Sequence, residues 1–420
     1  MSCDPVPYKV DGEVGRFEFT THSVAIGKRI EFRSSYDLFF GLQTNEYYRT
    51  IGFKDIAIVY GDTEKSYRKT TNLINRIRYQ QEEGTRFRTL QENTEKEGLK
   101  VLDYISEKAD FILQKQGYAD PCQCEKTYDA CTINEATELP IEQIADAASR
   151  IESTFNIENL LSNPLSYEDP EKTVNASIDD VVVKKQKETR EQTDEDAKGK
   201  RKYIHNTIVH VETDKDKYVL NGKGTKDALR YILALLLNSE LIGYRIQFFT
   251  DGHTALNTSI LQYYKWHRNM HIILDWFHLV KKCKESLSMA MKGRVVRNDL
   301  LKQIMPCLWN GMTDKAIDIL KEVNSELIKN RELLDKLLAY LDRNRPYIPC
   351  YAIRKALKLR NSSNIGEKMN DLVVSARQKR NGMSWSKKGS VALASITAAK
   401  RNNEIRRWLE KRELEFKLAA

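Results

Sequence analysis

The chain has no apolar run long enough to cross a bilayer; the longest, near Leu229 to Ile242, is interrupted by Arg230, Asn238 and Glu240. No secretory leader is apparent. The seven cysteines, an odd number without secretory context, read as reduced thiols rather than as a disulfide framework. These absences lead us to expect a cytoplasmic protein with no membrane partner. Cys122, Cys124 and Cys131 lie close together. However, a C-x-C start with no histidine nearby departs from the two-plus-two spacing of zinc sites, so ordinary thiols are expected.

What the chain does have is charge. It is 420 residues long and 30% charged, enough for two or three domains with sizeable cores. The net charge of +9 is unevenly placed, because from Ala352 onward 17 Lys and Arg face 6 Asp and Glu. A basic region with interspersed aromatics fits a nucleic-acid surface, and a well-solvated basic helix is the alternative.

Near the start, GRFEFTTHSV from Gly15 alternates like a strand, with no assignable task. The segment SYRKTTNLINRIRYQ has helical spacing, with Tyr67, Leu73, Ile74 and Ile77 on one side. A second helix is expected from Thr89 to Gly98, where the glycine is placed to end it. With Arg68, Lys69, Arg76, Arg78, Arg86 and Arg88, these helices suggest a helix-turn-helix type DNA-binding module. Leu139 to Glu171 is polar and acidic and reads as a helix followed by a linker.

The strand-like VNASIDDVVV, Val174 to Val183, contains the pair Asp179-Asp180. Acids inside an otherwise buried strand are costly without a partner such as a metal, although a strand end with solvated acids is also open. The charged stretch Lys184 to Lys202 reads as an exposed, mobile connection. Strands at Tyr203 to Thr213 and Lys217 to Gly222 follow, then a helix from Thr225 to Leu241 with Thr225 as its cap.

Next, IQFF ends in Thr250-Asp251-Gly252, a helical segment intervenes, and HIIL ends in Asp275. Short apolar runs joined by an amphipathic helix indicate buried parallel strands, whose carboxyl ends face the ligand crevice of α/β sheets. Asp251 is thereby positioned for chemistry, or else it shapes a turn or caps a helix. The order β, β, β, α, β, α, β, α, with acids on the first and fourth strands, is the ribonuclease H topology. It asks for a third carboxylate from a later helix, because two divalent ions about 4 Å apart on shared carboxylates suit phosphodiester chemistry. Magnesium suits such oxygen ligands.

These residues resemble the DDE-type transposases of bacterial insertion sequences, in the branch related to Mutator-like elements. The matching pieces are SIDDVVV from Ser177, TDGHTAL from Thr250, LDWFHLVKK from Leu274 and SSNIGEKMNDLVVSARQKRNGMSWSKKGS from Ser362. Together they span most of Val174 to Arg401. The resemblance implies an α/β fold, a ribonuclease H-like mixed sheet with an α-helical insertion, preceded by a mainly helical DNA-binding region. It implies that Asp179, Asp251 and Glu367 are the catalytic, metal-holding acids for two Mg2+ ions, with Mn2+ as a substitute. The 116 residues from Asp251 to Glu367 leave room for the insertion.

The same resemblance makes Asp275 and His278 a D-x-x-H element beside the active site, with Asp180 as a further neighbour. The histidine either orients an acid or a water or is a satisfied strand-end residue. Lys368, Arg377, Lys379 and Arg380 would hold the DNA backbone, together with Arg68, Lys69, Arg76 and Arg78 of the earlier module. Val374 departs from the family, many members of which carry a basic residue there. Trp309 and Trp385 either stack on unpaired bases or belong to the core. The implied partners are double-stranded DNA, as element terminal repeats and target, and further copies of the chain in a dimer or larger assembly; the implied location is the bacterial nucleoid. A nuclease of the same fold and a non-catalytic DNA-binding regulator are the alternatives.

The expected divisions are 1–55 without an assigned role, 56–135 for DNA binding, and 136–172 for the helix and linker. The catalytic core follows in 173–293 and 361–420, with the helical insertion at 294–360 between them.

Overall fold

The computed structural model describes residues 5–26, 31–34, 39, 48–61, 66–79, 85–118, 138–151, 155–163, 167–187 and 203–419. The three clustered cysteines and most of the expected mobile connection lie outside the described residues. The chain divides into two compact units, one of 1–105, 182–206 and 371–415, the other of 106–181, 207–370 and 416–420.

In the first unit, β1 (Pro5–Asp11) and β2 (Arg16–Ile26) form an antiparallel hairpin, closed by the Gly12 amide donating to the Gly15 carbonyl at 2.8 Å. Adding β3 (Glu31–Ser34) and β4 (Tyr48–Arg49) gives a sheet in the order β3-β2-β1-β4. Helices α1 (Ile51–Gly61) and α2 (Tyr67–Ile77) follow, and then α3 (Phe87–Lys115), whose residues from Ser106 on belong to the second unit. Ser66 caps α2, accepting from the Lys69 amide. The buried face of α2 is Tyr67, Thr70, Thr71 and Ile74, whereas Ile77 of the expected apolar face is exposed. Thr71 can enter the core because its hydroxyl donates to the Tyr67 carbonyl one turn back, at 2.8 Å.

Gly98 does not end its helix. α3 continues for 29 residues to Lys115. The glycine serves packing instead, since a Cβ there would lie 2.0 Å from the Ala392 carbonyl oxygen. Ala392 sits in the helix Lys387–Arg401, which is buried without interruption from Gly389 to Ala399. A helix of small residues and a glycine on its neighbour permit this backbone approach.

In the second unit, α4 (Ile141–Ser149) and α5 (Ile157–Leu161) precede β5 (Thr173–Lys184). Then come β6 (Tyr203–Glu212), β7 (Lys217–Gly222), α6 (Thr225–Asn238), β8 (Arg245–Thr250), α7 (Thr254–Tyr263) and β9 (Met270–Leu274). The sheet order is β7-β6-β5-β8-β9, with β6 and β7 antiparallel and both β5–β8 and β8–β9 parallel. The protein is thus a mixed α/β fold. Every residue of β8 is buried, as a strand covered on both faces requires. Gly224, at φ +139°, occupies the cap position of α6 in place of the expected Thr225.

The segment after β9 is helical, with α8 (Trp276–Ala290), α9 (Arg294–Trp309), α10 (Thr313–Lys321), α11 (Arg331–Asn344), α12 (Tyr351–Ala356) and α13 (Asn364–Asn370). Leu334, Leu337 and Leu341 of α11 join Leu279, Leu287, Ile304 and Leu320 in a core continuous with Phe249, Ile273 and Leu274 of the sheet. Trp309 packs edge-on to Trp276 at 4.8 Å and stacks on Tyr351. Trp385, 6% exposed in the first unit, donates its indole N–H to the Gln378 carbonyl. Trp385 is therefore a core residue, and Trp309 packs, partly buried, against the core. Arg354 is fully buried and forks onto Glu168 at 2.8 and 2.6 Å, while donating also to the Arg360 carbonyl.

Candidate active site

Strand register assembles the acids. β5 and β8 pair Ser177 with Phe249, and β8 and β9 pair Thr250 with Leu274. Carried on, the same registers set Asp179 level with Asp251, and Asp251 level with Asp275. Gly252 lets the chain turn away immediately after Asp251, at φ +80°, and a Cβ there would meet Asn344 and Leu274 at 2.9 Å. Asp251 shapes that turn, its Oδ1 accepting from the His253 amide at 2.8 Å.

A cavity of about 320 Å³ opens at these strand ends, lined by Asp179, Asp180, Asp251, Glu367, His253 and His278 among others. Among the described residues no Lys or Arg lines it. Gly366 brings Glu367 to it, because α13 passes so close to β5 that a Cβ at Gly366 would lie 2.4 Å from Ser177 Oγ.

Each carboxylate is held by a partner. Asn370, one turn after Glu367, donates to Asp179 Oδ2 at 2.5 Å, and the Asp180 amide donates to Asp179 Oδ1 at 2.8 Å. Thr207 donates to Asp180 Oδ1 at 2.5 Å. His278 Nε2 lies 3.3 Å from Glu367 Oε1. Partial desolvation raises the Asp179 pKa, and the charges of Asp251 and Asp180 add to the effect against the Asp180 amide and His278. Glu367 is raised by desolvation and by Asp275 and Asp179, against His278 and Lys281.

Asp275 belongs to the scaffold. It is 1% exposed and accepts from the Phe277 and His278 amides, the Ser362 and Ser363 hydroxyls and the Ser363 amide. It therefore caps α8 and pins the loop that leads into α13. The His278 ring faces Glu367, so the D-x-x-H pair divides its labour: the acid fixes backbone, and the imidazole meets the catalytic candidate.

Four carboxylates with no Lys or Arg among them, beside His253 and His278, offer oxygen donors of the kind a hard divalent cation takes. It is not a closed cage, because among the described residues no group of three His, Cys, Asp or Glu side chains is disposed to hold a metal ion. Asp179, Asp251 and Glu367 share one cavity while each carries its own hydrogen-bond partner.

The basic candidates separate by burial. Arg68, Lys69 and Arg76 on α2, Lys368 on α13, and Lys379 and Arg380 beyond it are exposed, with Arg380 3.5 Å from Asp371. Arg78 and Arg377 must be removed from the DNA-binding set. Arg78 is 6% exposed, donates to Thr85 Oγ1 and lies over the Phe53 ring. Arg377 is 1% exposed, with its guanidinium 4.8 Å from the Tyr67 ring centre and 5.0 Å from that of Trp385. Packed guanidiniums of this kind stabilise a core and cannot reach phosphates. Val374 is likewise fully buried.

Sequence reasoning missed Asn370, Thr207 and Ser363. A polar residue three positions after Glu367 on a helix was the available signal for Asn370. The other two are visible only once strands and loops pair. No family model matches the chain, and a comparison with characterised proteins finds no match. No helix among the described residues is long and apolar enough to cross a membrane.

Proposed function

We propose that this chain is a DDE-type DNA transposase with a ribonuclease H-like catalytic core, acting on the terminal repeats of its element in the bacterial nucleoid. The observation that carries this reading is a cavity at parallel strand ends with four carboxylates and no Lys or Arg. Such a cavity repels a phosphodiester unless cations neutralise it, so the chemistry that fits is cation-dependent phosphoryl transfer. The strand order, with an acid on its first strand, another just past the end of its fourth and a third on a helix after a helical excursion, supports the same class.

Asp179, Asp251 and Glu367 are the acids that would hold two Mg2+ ions, with Mn2+ as a substitute, although in this arrangement the three are not disposed around a common ion. When bound, these ions supply charge neutralisation at the phosphate and activation of the attacking oxygen. The chain's own residues do the positioning. Asn370 fixes the rotamer of Asp179, His278 that of Glu367, and Asp275 the loop that delivers Glu367. Asp180, held by Thr207, adds negative charge at the same mouth. The nucleophile is water in the cutting step and the freed DNA 3′-hydroxyl in the joining step, with no covalent protein intermediate. Joining two ends calls for a dimer or larger assembly.

The test is a strand-transfer assay on duplexes carrying the DNA that flanks this coding region. Joined product is expected with Mg2+, and Asp251→Asn is expected to reduce it by about a hundredfold or more. Cleavage without joined product would replace the transposase by a nuclease of the same fold. Activity unchanged in Asp251→Asn would remove the catalytic role altogether.

A further inference from the structure

Among the described residues the acid cavity has no Lys or Arg of its own to grip the phosphates on either side of the one to be cut. A basic surface within the same unit is α8, whose first turn carries His278 of the cavity. Phe277, Lys281, Lys284 and Ser288 recur at helical spacing and are all exposed, Phe277 to 45%. Lys281 follows His278 of the cavity lining by three positions, one helical turn, which makes the two neighbours on the helix surface. Arg297 from α9 donates to Ser288 Oγ at 3.1 Å and so extends the stripe. Among the described residues Lys281 and Lys284 form no ion pair. From Trp276 to Lys302 there are seven Lys and Arg against two acids, Glu285 and Asp299.

We infer that this stripe holds the backbone of a DNA strand entering the cavity, with Lys281, Lys284 and Arg297 on successive phosphates and Phe277 stacked on a base beside the reacting one. From Phe277 to Ser288 the helix advances about 16 Å, the axial length of roughly five nucleotides. An exposed Phe at the cavity mouth has one apolar face to offer, and any base supplies a matching face. The inference rests on the transposase reading for the identity of the strand. It is tested by binding alone, so the two can fail separately.

Fluorescence anisotropy of the full chain in EDTA would compare a fluorescein-labelled duplex of the flanking DNA with the same duplex carrying unpaired terminal bases. Lys281→Ala/Lys284→Ala is expected to weaken binding about tenfold near physiological salt and to reduce the slope of log K against log salt by about two. Lys281→Arg/Lys284→Arg should retain wild-type binding. Phe277→Ala should cost about tenfold on the unpaired end and little on the fully paired duplex. Wild-type affinity and salt slope in the double alanine variant would overturn the inference, as would failure of the wild type to bind either probe. Stripe-dependent binding without cleavage in Mg2+ would leave the surface standing and sink the transposase reading instead.

Discussion

Glu168 exchanges water for the Arg354 fork, and its pKa records the trade. Burial pushes the carboxyl up, yet the Arg354 charge and hydrogen bonds more than reverse this, leaving the pKa below the ordinary value. The stabilisation is therefore present above the ordinary glutamate pKa, about 4.3, and is lost as pH falls through the folded value. Urea unfolding is expected to show the wild type weakening from about pH 5 downward, with Glu168→Gln less steep over the same window. Removing the partner is the harsher change. Arg354→Ala strands a buried carboxylate and should cost about 3–5 kcal/mol at neutral pH by the same measurement. Neither residue stood out in the sequence, because 186 positions separate them and only the folded sheet brings them together.

Among the elements, Gly98 separates local propensity from tertiary packing. Replacing a mid-helix glycine by alanine ordinarily stabilises a helix by about 1 kcal/mol. Here the added methyl meets a backbone carbonyl at 2.0 Å, an obstacle that rotamer changes cannot relieve. Gly98→Ala should therefore destabilise by about 1–3 kcal/mol in thermal or urea unfolding. The same contrast explains what could be read beforehand. The expected strand Val174 to Val183 is observed as Thr173–Lys184, and Lys217 to Gly222 matches β7, because a sheet imposes its alternation directly on sequence. Asp251 could be singled out because a strand end is a local signal, whereas Asp179, Glu367 and His278 are assigned by the family resemblance; the fold gathers all four at one cavity. The fates of Gly98, Arg78 and Arg377 depend on neighbours hundreds of positions away or on aromatic rings across a core. Nothing local distinguishes a buried guanidinium from one that meets solvent.

At the scale of the molecule, the site is a concentration of like charge in a basic chain. Asp179 and Glu367 have raised pKa values, so ionising them works against the fold: their contribution is full at low pH and is lost as pH rises through those values. A cation that binds the folded form relieves this. Millimolar Mg2+ or Mn2+ should raise the melting temperature of the wild type by a few degrees in a thermal-shift assay, and Asp251→Asn should blunt the response. A melting curve indifferent to both ions would count against cation binding in the cavity. The helices between Trp276 and Asn361 bear on the whole molecule too, because the Trp276 amide donates to the Asn361 carbonyl at 3.0 Å. The excursion ends where it began, and Asp275 grips the returning loop at Ser362 and Ser363. Such a detour can lengthen, shrink or change its outer face without shifting the acid it returns to the pocket. Selection can then rework what those helices touch while the chemistry at their root stays still.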